Sequence, residues 1–445
     1  MEQWQKLSLI LCAYGILKEF RPSEPFVTKY LNNPPMNFTR DEISEDIYPV
    51  AIYSTMVLLV IIFLVTDLLR YKPIIILNSL SGVFIYLMLI FCRSLFAMQV
   101  VEVLYGLFMS CEVAYYTYMY AKVDKVHYQE VSGQTRAAYL IGRAVSGVVS
   151  QILVLTNFSY YILNFFTLGG MVFSLVWALL LPPVSQSIYF NKTADEETTD
   201  INPNSCTNLY DQNYRNLSEN KIIKGFQLLW IDFKTAFTNL YVVKWAFWWA
   251  LATCGYYQIL SYIQLLWEEI LKNEGTQYYT KLNGATEAAY TLASAISAFC
   301  FGKLIIDWSI YGELVLFICS ICIGILLIIM AETSSIWVAY GTKVVYAMIY
   351  HSMITVSNSE VAKHVNADSY GLIFGFTTFV ALVLQSILTV IVINTLKLSA
   401  RHQFEVYSGY FAILGIIFGL KTLYTFIKRL CSSRNAVTIT NEVTS

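Results

Sequence analysis

The sequence predicts an all-α integral membrane protein, a twelve-helix bundle built as two six-helix halves. Three observations predict it. Hydrophobic residues make up 57% of the 445 and charged residues only 13%, about half the charged share of a soluble domain, and the mean hydropathy is +0.55. Apolar runs of about 20 residues, enough to cross a bilayer core, recur along the chain. One long polar stretch interrupts the series near its middle. The net charge is −1, so no nucleic-acid partner is expected.

The first six runs lie near 7–31, 48–68, 72–92, 95–121, 136–155 and 159–182. A polar stretch from Val184 to Lys224 follows, with NKTADEETTDINPNS inside it. It has no apolar periodicity and reads as a disordered loop. The second six runs lie near 239–266, 285–305, 311–331, 335–357, 370–395 and 406–428. Six and six about a long loop is the major-facilitator pattern, whose halves enclose a midplane site. The divisions expected are therefore a first half at 1–183, a cytoplasmic polar loop at 184–235, a second half at 236–430 and a disordered cytoplasmic tail at 431–445.

Orientation follows from the short loops. Ten basic residues, Arg70, Lys72, Arg136 and Lys428 among them, fall on the side of the central loop and C-terminus, and six, including Arg93 and Lys397, on the other. The bias puts both termini in the cytoplasm. Asn37 and Asn157 head glycosylation sequons in loops on the outer side, whereas Asn191 and Asn216 head sequons that would face the cytoplasm. The run Leu7–Gly15 lacks a small-residue cleavage site, so no secretory signal peptide is expected. Cys319 and Cys322 have CxxC spacing within an apolar run, where cysteine behaves as a small hydrophobe, and the four histidines are scattered; no metal site is expected.

The intramembrane polar groups carry the function. In QVVEVLYGLFMSCEVAYYTYMY, residues 99–120, two acids and five tyrosines share one span. Ionisable groups there are costly and mark functional sites by default. At about 100° per residue, Tyr105, Glu112 and Tyr116 fall on one face, with Glu102 a turn before Tyr105. Carboxylates attract a cation by charge and ring faces by their quadrupole, so the stripe suits an organic cation with an aromatic part. The alternatives are that these acids pair with Lys or Arg of neighbouring helices, or relay protons. In ILKEFRPSEPF, prolines beside Glu24 break the backbone ladder, which a membrane tolerates where the chain faces protein or a wet cavity. The seventh span holds Gln258 and Gln264, with tryptophans read as belt or packing residues. In the eighth, Asn283 and Glu287 share a face. Arg143 and Lys343 lie within spans and are possible charge partners of the acids or of an anionic substrate.

RPSEPF at 21–26, LVTDLLRYKP at 64–73, MQVVEVLYG at 98–106, CEVAYYTYMY at 111–120, WWALATCGYYQ at 248–258 and NGATEA at 283–288 resemble the reduced-folate-carrier and thiamine-transporter family through nearly all spans. The resemblance implies a plasma-membrane vitamin transporter of the major-facilitator superfamily. It implies that Glu102 and Tyr105 hold thiamine, the acid on the aminopyrimidine and the ring on the cation, and that Glu24, Tyr48 and Asn283 belong to the site. Tyr53, Tyr116, Gln258 and Glu287 are secondary candidates. Ala51 departs from the tryptophan that thiamine transporters are similar in placing there. Glu112 stands where folate carriers resemble one another in having arginine, and Ala347 where relatives carry another arginine. Glutamate suits a cation and arginine a folate's carboxylates. Thiamine uptake by alternating access is thus expected, without covalent chemistry and without a resident cofactor, with proton coupling possible. A reduced-folate or thiamine-phosphate carrier is the alternative, and a non-transporting receptor or sensor a more distant one.

Overall fold

The computed structural model describes residues 2–39, 42–184, 221–274, 282–366 and 369–443. The order of its helices repeats the predicted spans with refinements at the breaks. The first span is α1 (Gln3–Lys18), an irregular turn, a short 3-10 segment Glu24–Phe26, and α2 (Val27–Asn32). α3 (Tyr48–Leu69) and α4 (Lys72–Phe91) follow. The fourth span is α5 (Leu95–Ser110) and α6 (Glu112–Tyr118), hinged at Cys111. α7 (Tyr128–Leu155) and α8 (Tyr160–Leu180) complete the first half. After α9 (Lys221–Thr238) come α10 (Leu240–Glu274), α11 (Asn283–Lys303), α12 (Trp308–Glu332), α13 (Ile336–Lys363), α14 (Tyr370–Thr389) and α15 (Ala400–Val443).

Two expectations about the connections are corrected. The segment 221–235, assigned to a polar loop, is helical as α9, because Leu228 and Leu229 recur at a helical spacing with Asp232 and Ala236 and bury one face. The stretch 431–443, expected to be disordered, continues α15, with no glycine or proline to stop it. The remainder of the central loop, with Asn191 and Asn216, lies outside the described residues.

Among the described residues, eight helical spans are long and apolar enough to cross a membrane. α1 has only 16 residues. α10, α11 and α13 are long enough but less apolar, and the buried side chains Gln258, Thr291, Lys343 and His351 show why. Polarity in these helices is directed into the bundle, where a site can use it.

The halves meet along two seams, α7 against α11 and α3 against α14. Glycines set the first. A Cβ at Gly133 would stand 2.7 Å from Gly302 Cα, and one at Gly147 2.8 Å from the Gly284 carbonyl oxygen. Small residues therefore let the two backbones touch, the usual device of helix association in membranes.

Trp4 stacks on His127, Lys72 reaches the Leu179 carbonyl, and Lys125 reaches the Lys363 carbonyl across the halves. These contacts gather one set of helix ends at what is here termed the basal end. Asn37 and Asn157, both exposed, lie at the opposite, distal end.

Candidate functional site

The site begins with the break after α1. Pro22 and Pro25 remove two donors and prevent the helix from continuing. Two of the amides at the break find side-chain acceptors on neighbouring helices: Arg21 N–H donates to Ser146 Oγ at 3.1 Å and Ser23 N–H to Thr167 Oγ1 at 3.1 Å. This irregular backbone aims a row of charges inward. Lys18 donates to Glu112 at 2.6 Å and lies 3.3 Å from Glu19. Arg21 contacts Glu19 at 2.6 Å and Glu24 at 3.1 Å. Lys18, Glu19 and Arg21 are buried, whereas the side chains of Glu24 and Glu112 keep 30% and 14% of their surface. Those two carboxylates are thus the most exposed groups of this network.

Between the halves lies a cavity of about 270 Å³. The first half contributes Ala51, Tyr105, Glu112, Tyr116, Arg136, Tyr139 and Arg143, and the second Trp249, Thr253, Tyr256, Tyr257, Tyr350, His351 and Asn358. Its aromatic wall is ordered. Tyr256 and Tyr350 stack with centroids 4.0 Å apart and planes 3° from parallel. Arg136 covers the Tyr116 ring at 4.3 Å and donates to its hydroxyl at 3.1 Å. A second cavity of about 190 Å³ adjoins it towards the distal end and shares Arg143 and Leu260. Its charged lining is Glu19, Arg21, Glu24, Arg143, Glu287 and Lys343. Arg143 clamps Glu287 through Nε at 3.1 Å and Nη2 at 2.7 Å, joining α7 to α11. Tyr290 donates to the other Glu287 oxygen at 2.6 Å.

The basal end is shut. Tyr128 and Tyr370 hydroxyls meet at 2.7 Å, Tyr120 packs on Tyr128 and on Phe374, and Gln129 donates to the carbonyls of Phe301 and Leu304, each at 2.8 Å. A Cβ on Gly375 would collide with Phe63, so α3 and α14 also close there. At the distal rim of the larger cavity Ile52 and Ser261 are exposed. The geometry is that of a cavity approached from the distal end.

The sequence candidates divide accordingly. Tyr105, Glu112 and Tyr116 do share a face and line the larger cavity, despite the hinge at Cys111. Glu24 and Glu287 line the smaller one, and Tyr105 donates to Glu24 at 3.2 Å, which binds the two cavities' linings together. Glu102 lines neither. It lies one turn before Tyr105, about 60° around the helix from it, and Ser54 of α3 donates to its backbone carbonyl at 3.2 Å. Tyr48 is at the distal rim, bonded to the Thr28 hydroxyl at 2.6 Å, and Tyr53 points away with 64% of its surface exposed. Gln258 is fully buried between Tyr407 at 2.9 Å and Thr389 at 3.0 Å, where it ties α10 to its neighbours instead of facing a ligand. Asn283 begins α11, and its side chain lies outside the described residues. Of the two charge partners proposed, Arg143 pairs with Glu287, whereas Lys343 makes no ion pair among the described residues.

Three cavity residues are read differently from the sequence alone. Arg136, assigned to a basic loop, stands in the cavity wall because α7 begins at Tyr128, two turns earlier than the predicted span. Trp249, grouped with packing tryptophans, lines the cavity against Phe374. His351 was unassigned. It lies 3.4 Å from the Tyr256 hydroxyl, and its signal was a polar pair, His351 and Ser352, within an otherwise apolar run.

A family model described as reduced folate carrier matches residues 2–406. Thiamine transporter 1 of Mus musculus is 35% identical, over 96% of this chain and 91% of its own length. Folate transporter 1 of Caenorhabditis elegans is also 35% identical, over 99% and 97%, and the Homo sapiens reduced folate transporter 33%, over 94% and 72%. Among solved structures, the human organic anion transporter MFSD10 superposes with a TM-score of 0.62 at 10% identity, covering 94% of this chain and 100% of that one. Nucleoside transporter NupG gives 0.56 at 14% identity, covering 94% and 99%. At such identities these two establish the fold alone. The chain therefore belongs to the reduced folate carrier family and has the major-facilitator architecture of a multi-pass membrane transporter.

Proposed function

We propose that this chain carries thiamine across the plasma membrane into the cytoplasm by alternating access. The observation that carries the proposal is the larger cavity, which combines six tyrosines with Glu112 and adjoins Glu24. Each ring face offers a cation about 0.5–2 kcal/mol, more as water is excluded. Glu24 and Tyr105, hydrogen-bonded to each other, form the acceptor and ring at one end, and Tyr116 and Tyr256 form walls. Glutamate at 112 and alanine at 347, where arginine would serve an anionic vitamin, support the same reading. So does the excess of basic residues at the basal end, which makes that end cytoplasmic. The approach at the distal rim then faces outward, and the Tyr128–Tyr370 bond belongs to the inner gate. No covalent step is part of the proposal.

A second reading, a carrier of reduced folates or thiamine phosphates, is favoured by one observation: Arg136, Arg143 and Lys343 all line these cavities. Uptake of radiolabelled thiamine by cells expressing the chain tests the first reading, with reduced folates and unlabelled thiamine as competitors at two pH values. Saturable uptake blocked by thiamine, and lost in Glu24→Gln at normal surface expression, supports it. Normal uptake in that variant overturns the role of Glu24, and displacement by folates alone overturns thiamine as the substrate. A pH dependence of the rate would show whether a proton moves with the vitamin.

A further inference from the structure

The charges of the smaller cavity do not pair evenly. Three cations and three carboxylates line it. Arg21 takes two of the acids, Glu19 at 2.6 Å and Glu24 at 3.1 Å. Arg143 takes the third, Glu287, through two N–H groups. Lys343 is left over. It is fully buried, and its Nζ has no hydrogen-bond partner among the described residues. An ammonium has three donors and no acceptor capacity, and a buried charged donor left without an acceptor is strongly unfavourable. What surrounds Lys343 is aromatic: the rings of Tyr256, Tyr290 and Tyr346 lie 5.6, 5.1 and 5.2 Å from Nζ. Ring faces stabilise a cation but satisfy none of its N–H groups directionally. The Tyr290 hydroxyl donates to Glu287 and accepts no bond from Lys343. On the facing wall, Arg143 Nη1 has only a long bond, 3.3 Å, to the Tyr139 hydroxyl.

We propose that Lys343 and Arg143 form a subsite for an anionic group of the substrate, a phosphate ester or a carboxylate, beside the aromatic cavity that holds its ring system. The two cavities meet at Arg143, so one ligand can reach both. Lys343 supplies a point charge with free donors, and Arg143, already fixed by Glu287, supplies a positioned N–H edge. The inference rests on the reading of the larger cavity as the site for the vitamin's rings. It adds that a vitamin bearing an anionic tail binds more tightly than the same rings without one.

The test compares three ligands in cells expressing the wild type, Lys343→Met and Lys343→Arg, with surface expression measured for each. The ligands are thiamine, thiamine monophosphate and a reduced folate with its glutamate carboxylates, each scored by its inhibition constant against a labelled ligand that the wild type takes up, and inorganic phosphate serves as a control competitor. The proposal predicts that Lys343→Met weakens at least one anionic ligand tenfold or more, about 1.4 kcal/mol, leaves thiamine within about twofold, and that Lys343→Arg restores most of the loss. A shift confined to thiamine monophosphate identifies a phosphate subsite, and one confined to the folate a carboxylate subsite. Equal weakening of all three ligands would mean that Lys343 acts as an alternate partner of Glu287 and would overturn the proposal, as would no shift in any. If thiamine proves not to be carried, the ring-site reading fails while the two anionic ligands still report on Lys343. The two claims therefore fail separately.

Discussion

Replacing Arg143 by methionine keeps an unbranched apolar stem and removes the guanidinium whose charge joins α7 to α11. Among the described residues, the Tyr290 hydroxyl at 2.6 Å is then the one side-chain hydrogen bond left to the Glu287 carboxylate. With Arg143 Nη2 2.7 Å from Glu287 Oε1, the charge centres are about 4 Å apart, and at an effective dielectric of about 20 their attraction is about 4 kcal/mol. That agrees with the roughly 3–5 kcal/mol observed when one partner of a buried pair is removed. Glu287→Gln should be milder, because the amide oxygen still accepts from the guanidinium. The double variant Arg143→Met with Glu287→Gln should recover much of the loss, since neither charge is left alone, giving a coupling of roughly 2 kcal/mol or more in the cycle. Thermal scans of the detergent-purified protein, with surface abundance in cells as a second readout, measure it. Arg143→Met should lie well below both the wild type and the double variant. Strictly additive losses would refute the claim that this pair is the electrostatic clasp of the seam.

Four further outcomes follow from the geometry. Tyr128→Phe removes the 2.7 Å bond to Tyr370, worth about 0.5–1.5 kcal/mol, and should move the population two- to tenfold towards the state open at the basal end, read by labelling of a cysteine introduced there. Gly147→Val would place atoms against the Gly284 carbonyl, which a Cβ alone approaches to 2.8 Å; transport and surface abundance should both collapse, whereas a valine at Gly169, where a Cβ meets nothing within 4 Å, should be tolerated. Ala51→Trp adds a ring to the wall of the larger cavity, and a stacking gain of about 0.5–1.5 kcal/mol should lower the half-saturating thiamine concentration two- to tenfold. Asn37 and Asn157 are both exposed at the distal end, so Asn37→Gln combined with Asn157→Gln should abolish a glycan-dependent gel shift; a glycan mapped to Asn191 or Asn216 would invert the topology.

Much of the fold was legible because bilayer crossing leaves a strong one-dimensional signal: the runs predicted from hydropathy coincide with α3, α4, α8 and α12 to within a few residues. Less of the site was legible. Periodicity placed Tyr105, Glu112 and Tyr116 on one face, and they do face one cavity. Periodicity does not tell which face of α10 turns inward, and so it favours Gln258, although the face that lines the cavities runs through Trp249, Thr253, Tyr256, Tyr257 and Gln264, among others. The pairing of Lys18 with Glu112, 94 positions apart, has no local trace. Arg136 was misplaced for a different reason: a basic residue two turns into a helix looks like a loop residue when the helix's first turns are polar, as YQEVSGQT is before it.

Uptake of labelled thiamine into liposomes containing only the purified chain tests the central claim most directly. Uptake that saturates, is abolished by unlabelled thiamine, and falls at least tenfold in Tyr105→Ala is the result predicted. Thiamine bound by the protein but never delivered to the liposome interior, under the inward gradient and at either pH, would contradict it.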